Sequence, residues 1–383
     1  MSAQPVPFRV EFPEPALADL RERLARTRLP DQAPGDPWAY GTNVEYLRGL
    51  LDYWRDGFDW RVHEARLNAF PQYKVRLHGI DVHYLHVQGK GPNPQPLLLS
   101  HGWPGSVLEF MKLIPMLTDP ASFGGDPADA FTVVVPSLPG YGLSFAPGQQ
   151  RFSLEMIADC FAALMHDVLG YETFAAQGGD WGGFITSRLG HAHPGKLIGI
   201  HINLLALRRD PKMLENPTPE EARFAEELNV FIKEEMGYQW IQGTRPQTLA
   251  FGLTDSPAGL AAWIIEKFRG WSDCGGDVES VFTKDELLAN ITLYWLTGAI
   301  GASFWPYYAR MHGPWPIPDG GVKVPMGYCQ FPCEILRPPR SVAQKMYTDI
   351  RRWSVMEKGG HFAAMEQPVA LAGEIREFFR PLR

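Results

Sequence analysis

The chain has 383 residues, 45% of them apolar and 21% charged, an ordinary balance for a globular protein and enough length for one large domain with insertions. Its formal net charge is −7 and no basic block interrupts it, which argues against a surface built for nucleic acid or anionic membrane. No apolar stretch is long enough for a transmembrane helix, Met1 to Val10 has no signal-peptide core, and four scattered cysteines make no disulfide framework. A cytoplasmic protein with reduced thiols and no membrane anchor is expected.

Residues 1–72 read as an N-terminal helical arm. Leu17, Leu20, Leu24 and Leu29 recur at helical spacing within Pro15 to Arg28, and Val44 to Tyr53 gives a second short helix. A first core segment, 73–207, follows with strand–helix alternation. Short strands are expected at Lys74 to Leu77 and Asp81 to Val87 around a His78-Gly79 turn, then at Pro96 to Ser100 and Phe131 to Pro136, both continuous apolar runs. An amphipathic helix over Leu154 to Leu169 has Ser153 as N-cap and Gly170 as C-cap. A strand at Thr173 to Gln177, a helix from Trp181 and a strand at Leu197 to Leu204 complete a βαβ pattern, which implies a parallel sheet covered on both faces. Residues 208–318 are helical and rich in aromatics and proline, and read as a lid inserted over the carboxyl ends of the strands. Residues 319–383 return to the core, with strands at Val322 to Gln330 and Trp353 to Met356 and a last helix over Pro368 to Phe379.

Gln177-Gly178-Gly179-Asp180-Trp181-Gly182-Gly183 sits between a strand and a helix and follows the G-x-nucleophile-x-G elbow pattern, with Asp180 where lipases carry serine. The plainer alternative is a glycine-rich turn whose Asp caps the helix. No G-x-S-x-G occurs in the chain. A carboxylate is ionised at neutral pH and attacks a saturated carbon without a base, leaving an ester that water can cleave. Asp180 therefore points to epoxides or alkyl halides. His101-Gly102-Trp103-Pro104-Gly105-Ser106 follows the strand that should supply one oxyanion-hole N–H, from Trp103; the residue after the nucleophile, Trp181, supplies the other. His361, in Gly359-Gly360-His361-Phe362 after the last strand, holds the base position in the α/β-hydrolase chain order. Glu334, after the preceding strand, is the better orienting acid, because Asp319 precedes that strand and Asp349 falls in an expected helix. The pairs His83/His86 and His191/His193 lack a third ligand at zinc-like spacing and read as structural.

These motifs, with Pro136-Ser137-Leu138-Pro139-Gly140-Tyr141-Gly142-Leu143-Ser144, the stretch from Thr244 to Ile264, Asn290 to Trp295, Phe331 to Arg340 and Glu357 to Pro368, resemble the microsomal-type epoxide hydrolases over nearly the whole chain. That group has an extended N-terminal region and includes juvenile-hormone-type and bacterial members. The resemblance implies an α/β-hydrolase fold and two lid tyrosines that activate the epoxide oxygen. The first matches Tyr238. The second is Tyr307 by register, with Tyr308 left open. It also implies Glu334 as the acid. Phe304, Trp305 and Phe362 are expected in the substrate pocket. The membrane-bound members carry an anchor that is not seen here. The expected reaction is epoxide to vicinal diol through an ester on Asp180, with no cofactor or metal. The expected partner is a small apolar epoxide; the pathway stays open between detoxification, aromatic hydrocarbon catabolism, terpenoid or juvenile-hormone-like metabolism and natural-product biosynthesis, and the oligomeric state stays open too, a homodimer being one alternative. A haloalkane dehalogenase, or an inactive hydrolase-fold binding protein, is the rival.

Overall fold

The computed structural model describes residues 4–208 and 216–383; residues 1–3 of the expected arm and 209–215 of the expected lid lie outside the described residues. Nine strands form one sheet: β1 (Val6–Pro7), β2 (Gln72–Leu77), β3 (Ile80–Val87), β4 (Gln95–Ser100), β5 (Phe131–Pro136), β6 (Phe174–Gly178), β7 (Leu197–Ile202), β8 (Met326–Gln330) and β9 (Ile350–Val355). Their order is β1-β2-β3-β5-β4-β6-β7-β8-β9. From β5 to β9 all pairings are parallel, while β1, β2 and β3 join antiparallel at one edge. The strand–helix alternation implied the parallel part of this sheet, and the whole is the α/β-hydrolase fold that the resemblance implied.

The apolar runs divide between two cores by strand periodicity. Leu98, Val134 and Ala176 pack on one face of the sheet with the helices Leu154–Ala163 and Asp180–Ala192. Their neighbours Leu97, Leu99, Val133, Val135 and Ala175 pack on the other face with the final helix, Pro368–Phe379. A strand buried on both sides shows no polar alternation, which is why these segments read as continuous apolar runs.

Between β7 and β8 the described chain is helical, including Gly237–Thr244, Pro257–Trp271, Lys284–Thr297 and Trp305–His312. The N-terminal helices dock onto this insertion. Trp54 Nε1 donates to Thr292 Oγ1 at 2.9 Å, and the Tyr53 hydroxyl donates to Asp285 Oδ1 at 2.8 Å. No single helix among the described residues is long and apolar enough to cross a membrane.

Four local expectations need correction. β1 was not anticipated, because two exposed residues carry no periodicity. A helix at Trp60–Leu67 was also missed, although Asp59 caps it by accepting from Arg61 N–H at 2.9 Å. The strand expected from Val322 begins only at Met326, with Val322 forming an isolated bridge to Tyr347; Pro325, lacking an N–H, interrupts the ladder before it. Asp349 is not helical: the helix there is Arg340–Ala343, and Asp349 directly precedes β9.

Candidate active site

β4 and β6 are neighbours, with Ser100 opposite Gly178, so the loops that leave their carboxyl ends start side by side. The order of the sheet reverses at β4, and this is where open α/β sheets bind ligands. Asp180 leaves β6 with φ +46°, a left-handed conformation that costs an L residue energy and persists only where packing enforces it. Gly182 explains how the turn fits: a Cβ there would lie 1.9 Å from the Ser100 carbonyl oxygen. On the facing loop, a Cβ on Gly102 would lie 2.1 Å from Asp180 Oδ1. The two loops approach so closely that only glycine fits at both points.

Trp103 N–H donates to Asp180 Oδ1 at 2.8 Å. The Trp181 N–H lies in the first turn of the helix Asp180–Ala192, where backbone donors lack intrahelical acceptors. His361 Nε2 stands 3.3 Å from Asp180 Oδ2, at ion-pair distance but without a hydrogen bond of ordinary geometry. On its other side His361 Nδ1–H donates to Glu334 Oε1 at 2.5 Å, an oxygen that also accepts from Ile335 N–H at 2.7 Å. His361 and Glu334 are both buried. The loops carrying them run together through a Cys333–Gly360 bridge, and Trp271 of the insertion accepts from His361 N–H at 2.8 Å.

Burial alone would push the His361 imidazole down, but the Glu334 carboxylate and then Asp180 overcome it and hold it well above its ordinary value near 6.5. The ion pairs are therefore complete below that ordinary value and are lost as pH rises through the higher folded-state value. The stability advantage of the wild type over His361→Gln should shrink from neutral to alkaline pH. Urea midpoints that diverge over this range would contradict the assignment of charge.

The insertion supplies the roof. Tyr238 stacks on the Trp103 indole, with ring centroids 5.4 Å apart. Tyr307 meets Trp181 edge-on at 4.6 Å and lies 5.8 Å from Tyr238. Tyr308 instead stacks on Trp305 and His312, at 4.8 and 4.1 Å. Tyr307 thus joins the cluster around Asp180, and Tyr308 does not. Phe304 packs on Trp103 at 6.2 Å and Phe362 on His361 at 5.2 Å. Trp305, expected beside them, goes with Tyr308 because it lies on the other side of its short helix.

Sequence reasoning gave no role to several residues that shape this site. Asn290 Nδ2 donates to the Pro104 carbonyl and the Tyr294 hydroxyl to the Gly105 carbonyl, both at 2.8 Å. Their i, i+4 spacing puts both on one helix face, which pins the Trp103 loop. Gln239 Nε2 donates to Tyr238 Oη at 2.7 Å while its Oε1 accepts from Arg310 Nη2 at 3.1 Å. The histidine pairs have ordinary partners: His83 bonds Ser137 and Gln72, and His193 bonds Asp159. Among the described residues no group of three or more His, Cys, Asp or Glu is placed to hold a metal ion.

Residues 5–110 match the family model for the epoxide hydrolase N terminus, and residues 95–242 match that for the alpha/beta hydrolase fold. Epoxide hydrolase 1 of Oryctolagus cuniculus is 37% identical over 97% of this chain and 88% of its own length. The chain belongs to the epoxide hydrolases. A Stigmatella aurantiaca relative is 45% identical over 98% of this chain and 85% of its own. Among solved structures, the juvenile hormone epoxide hydrolase of Bombyx mori superposes with a TM-score of 0.88 at 32% identity, covering 100% of this chain and 95% of that one. The epoxide hydrolase of Aspergillus niger gives 0.86 at 29%, covering 100% and 97%. An epoxide hydrolase thus carries the strained Asp180 elbow and the aromatic roof described above.

Proposed function

We propose that this epoxide hydrolase opens a small apolar epoxide through a covalent ester on Asp180, with the helical insertion between β7 and β8 as its lid. The observation that carries the reading is the pair of contacts on one carboxylate. Oδ1 is held by the Trp103 N–H, and Oδ2 lies 3.3 Å from His361 Nε2. Oδ2 attacks an epoxide carbon, the carbon–oxygen bond breaks, and the electron pair stays on the departing oxygen. The phenols of Tyr238 and Tyr307 donate to that oxygen. Gln239 steadies the first of them: its amide N–H donates to Tyr238 Oη at 2.7 Å, so toward that neighbour the phenol is an acceptor.

Ester formation removes the charge of Asp180, and with it one of the two carboxylates that hold the imidazolium. His361 then gives up its extra proton, which balances the alkoxide formed on ring opening, and becomes a neutral base. It takes a proton from water, whose oxygen attacks the ester carbonyl. The Trp103 and Trp181 N–H groups hold the resulting oxyanion. Glu334 keeps the imidazole oriented throughout. The buried indole N–H groups of Trp103 and Trp181, which meet no acceptor among the described residues, would also suit a halide. The two roof phenols and the family favour the epoxide.

The source of oxygen tests the covalent route. With excess enzyme in ¹⁸O-labelled water, the diol of the first turnover should be unlabelled and Asp180 should gain the label. Label in the first diol would mean direct attack by water.

A further inference from the structure

The reaction above consumes a water in its second step, when the substrate still fills the space under the roof. A cavity on the sheet side of Asp180 offers that water a place. Asp180, His361, Ser100, Gln177, Asn203 and Glu109 line it, and about 20 Å³ of it is open to the centre of a water molecule. A single water needs about 10–15 Å³ by that measure and two to four polar partners. Three buried polar atoms of the lining, His361 Nε2, Ser100 Oγ and Gln177 Oε1, make no hydrogen bond among the described residues.

Glu109 is the one lining acid that the mechanism leaves without a role. Its Oε1 occupies the spot beside Gly105 where any side chain at that position would begin: a Cβ there would lie 1.4 Å away. Glu109 also borders a second, outer cleft of about 370 Å³ lined by His63, Arg66, Lys112 and Glu286, the last two paired at 2.5 Å. It therefore lies between the outer cleft and the inner cavity and lines both. This explains why the residue as a whole is only partly buried while its carboxyl is enclosed.

Resting on the Asp180 reading, we propose that Glu109 is a positioning residue that holds the hydrolytic water against the ester. The water donates one hydrogen to His361 Nε2 and the other to a Glu109 oxygen. Its own oxygen bonds to the Asp180 carboxyl carbon, the bond to the alkyl oxygen breaks, and His361 returns its proton to the departing alkoxide. Burial, reinforced by Asp180 and opposed by His361, raises the Glu109 carboxyl to about 8. Near neutral pH it is thus mostly an uncharged acid, which avoids a second buried anion beside Asp180. Glutamine mimics that form and leucine does not.

The test follows ester formation and ester hydrolysis separately by rapid quench, with styrene oxide as probe and the full-length enzyme. Glu109→Leu should slow hydrolysis at least tenfold more than it slows ester formation, so that the ester accumulates. Glu109→Gln should restore hydrolysis to within about threefold of wild type, in line with the modest cost of exchanging one neutral hydrogen-bonding partner for another. Equal loss of both steps in the leucine variant, or hydrolysis at the wild-type rate, would overturn the proposal. So would a glutamine variant no better than leucine. If wild type itself forms no ester on Asp180, the underlying reading has failed instead, and the two failures are told apart in one experiment.

Discussion

His361→Gln should convert the enzyme into one that opens a single epoxide and stops. A carboxylate needs no base to attack a saturated carbon, so the first bond-forming step does not require the imidazole as a base, whereas water attack on the ester does. Loss of the general base should lower turnover by about 10²–10⁴-fold. The intact-protein mass should rise by one substrate mass, and peptide mapping should place the adduct on Asp180. Glutamine roughly preserves the volume of the buried imidazole and can still donate toward Glu334, so the fold should survive. Asp180→Ala should give neither adduct nor turnover. Glu334→Gln should fall between wild type and His361→Gln, because Glu334 orients the imidazole at 2.5 Å and does not react. A His361 variant that never gains mass from reactive epoxides, while wild type turns them over, would refute the covalent route.

The second large effect concerns the roof. Tyr238→Phe and Tyr307→Phe should each slow ester formation about 10²-fold, and the double variant by about 10⁴-fold, if each phenol contributes what a well-placed acid usually does. The expectation rests on geometry. Both rings pack against Trp103, whose backbone N–H holds the attacking carboxylate, and both are buried. Phenylalanine keeps those ring contacts, so a loss of rate would reflect the hydroxyl and not the packing. Tyr308→Phe should change little, since that ring stacks on His312, away from Asp180. Single-turnover ester formation at the wild-type rate in the double variant would remove both tyrosines from the mechanism. Slowing by Tyr308→Phe alone would move the second role by one position.

Much of this site could be read from local rules. A tight strand-to-helix turn demands small neighbours and exposes its central residue, so Gly178 to Gly182 marks Asp180 by itself. Chain order located His361 and Glu334, because a parallel sheet delivers its loops to one end and each follows a late strand. The continuous apolar runs located the central strands, since burial on both faces erases polar alternation. Where local rules misled, a short feature was responsible. Pro325 broke the ladder that the apolar stretch from Val322 suggested, and the two residues of β1 form a strand only because β2 lies beside them.

The sequence by itself determined the parallel sheet, the aspartate at the elbow and the chain order of Asp180, Glu334 and His361, because each depends on neighbours within a few residues or on strand succession. Only the tertiary structure brought Tyr307, and not Tyr308, into the cluster around Asp180. Consecutive helical residues point about 100° apart, and the face that turns toward Asp180 is set by packing against Trp103 and Trp181, far away in the chain. The same holds for Asn290 and Tyr294 gripping the Trp103 loop, for Gln239 between Arg310 and Tyr238, and for Glu109 between two cavities. Each is a contact between segments whose separation along the chain carries no information about their distance in space, and it exists only once the insertion has closed over the sheet.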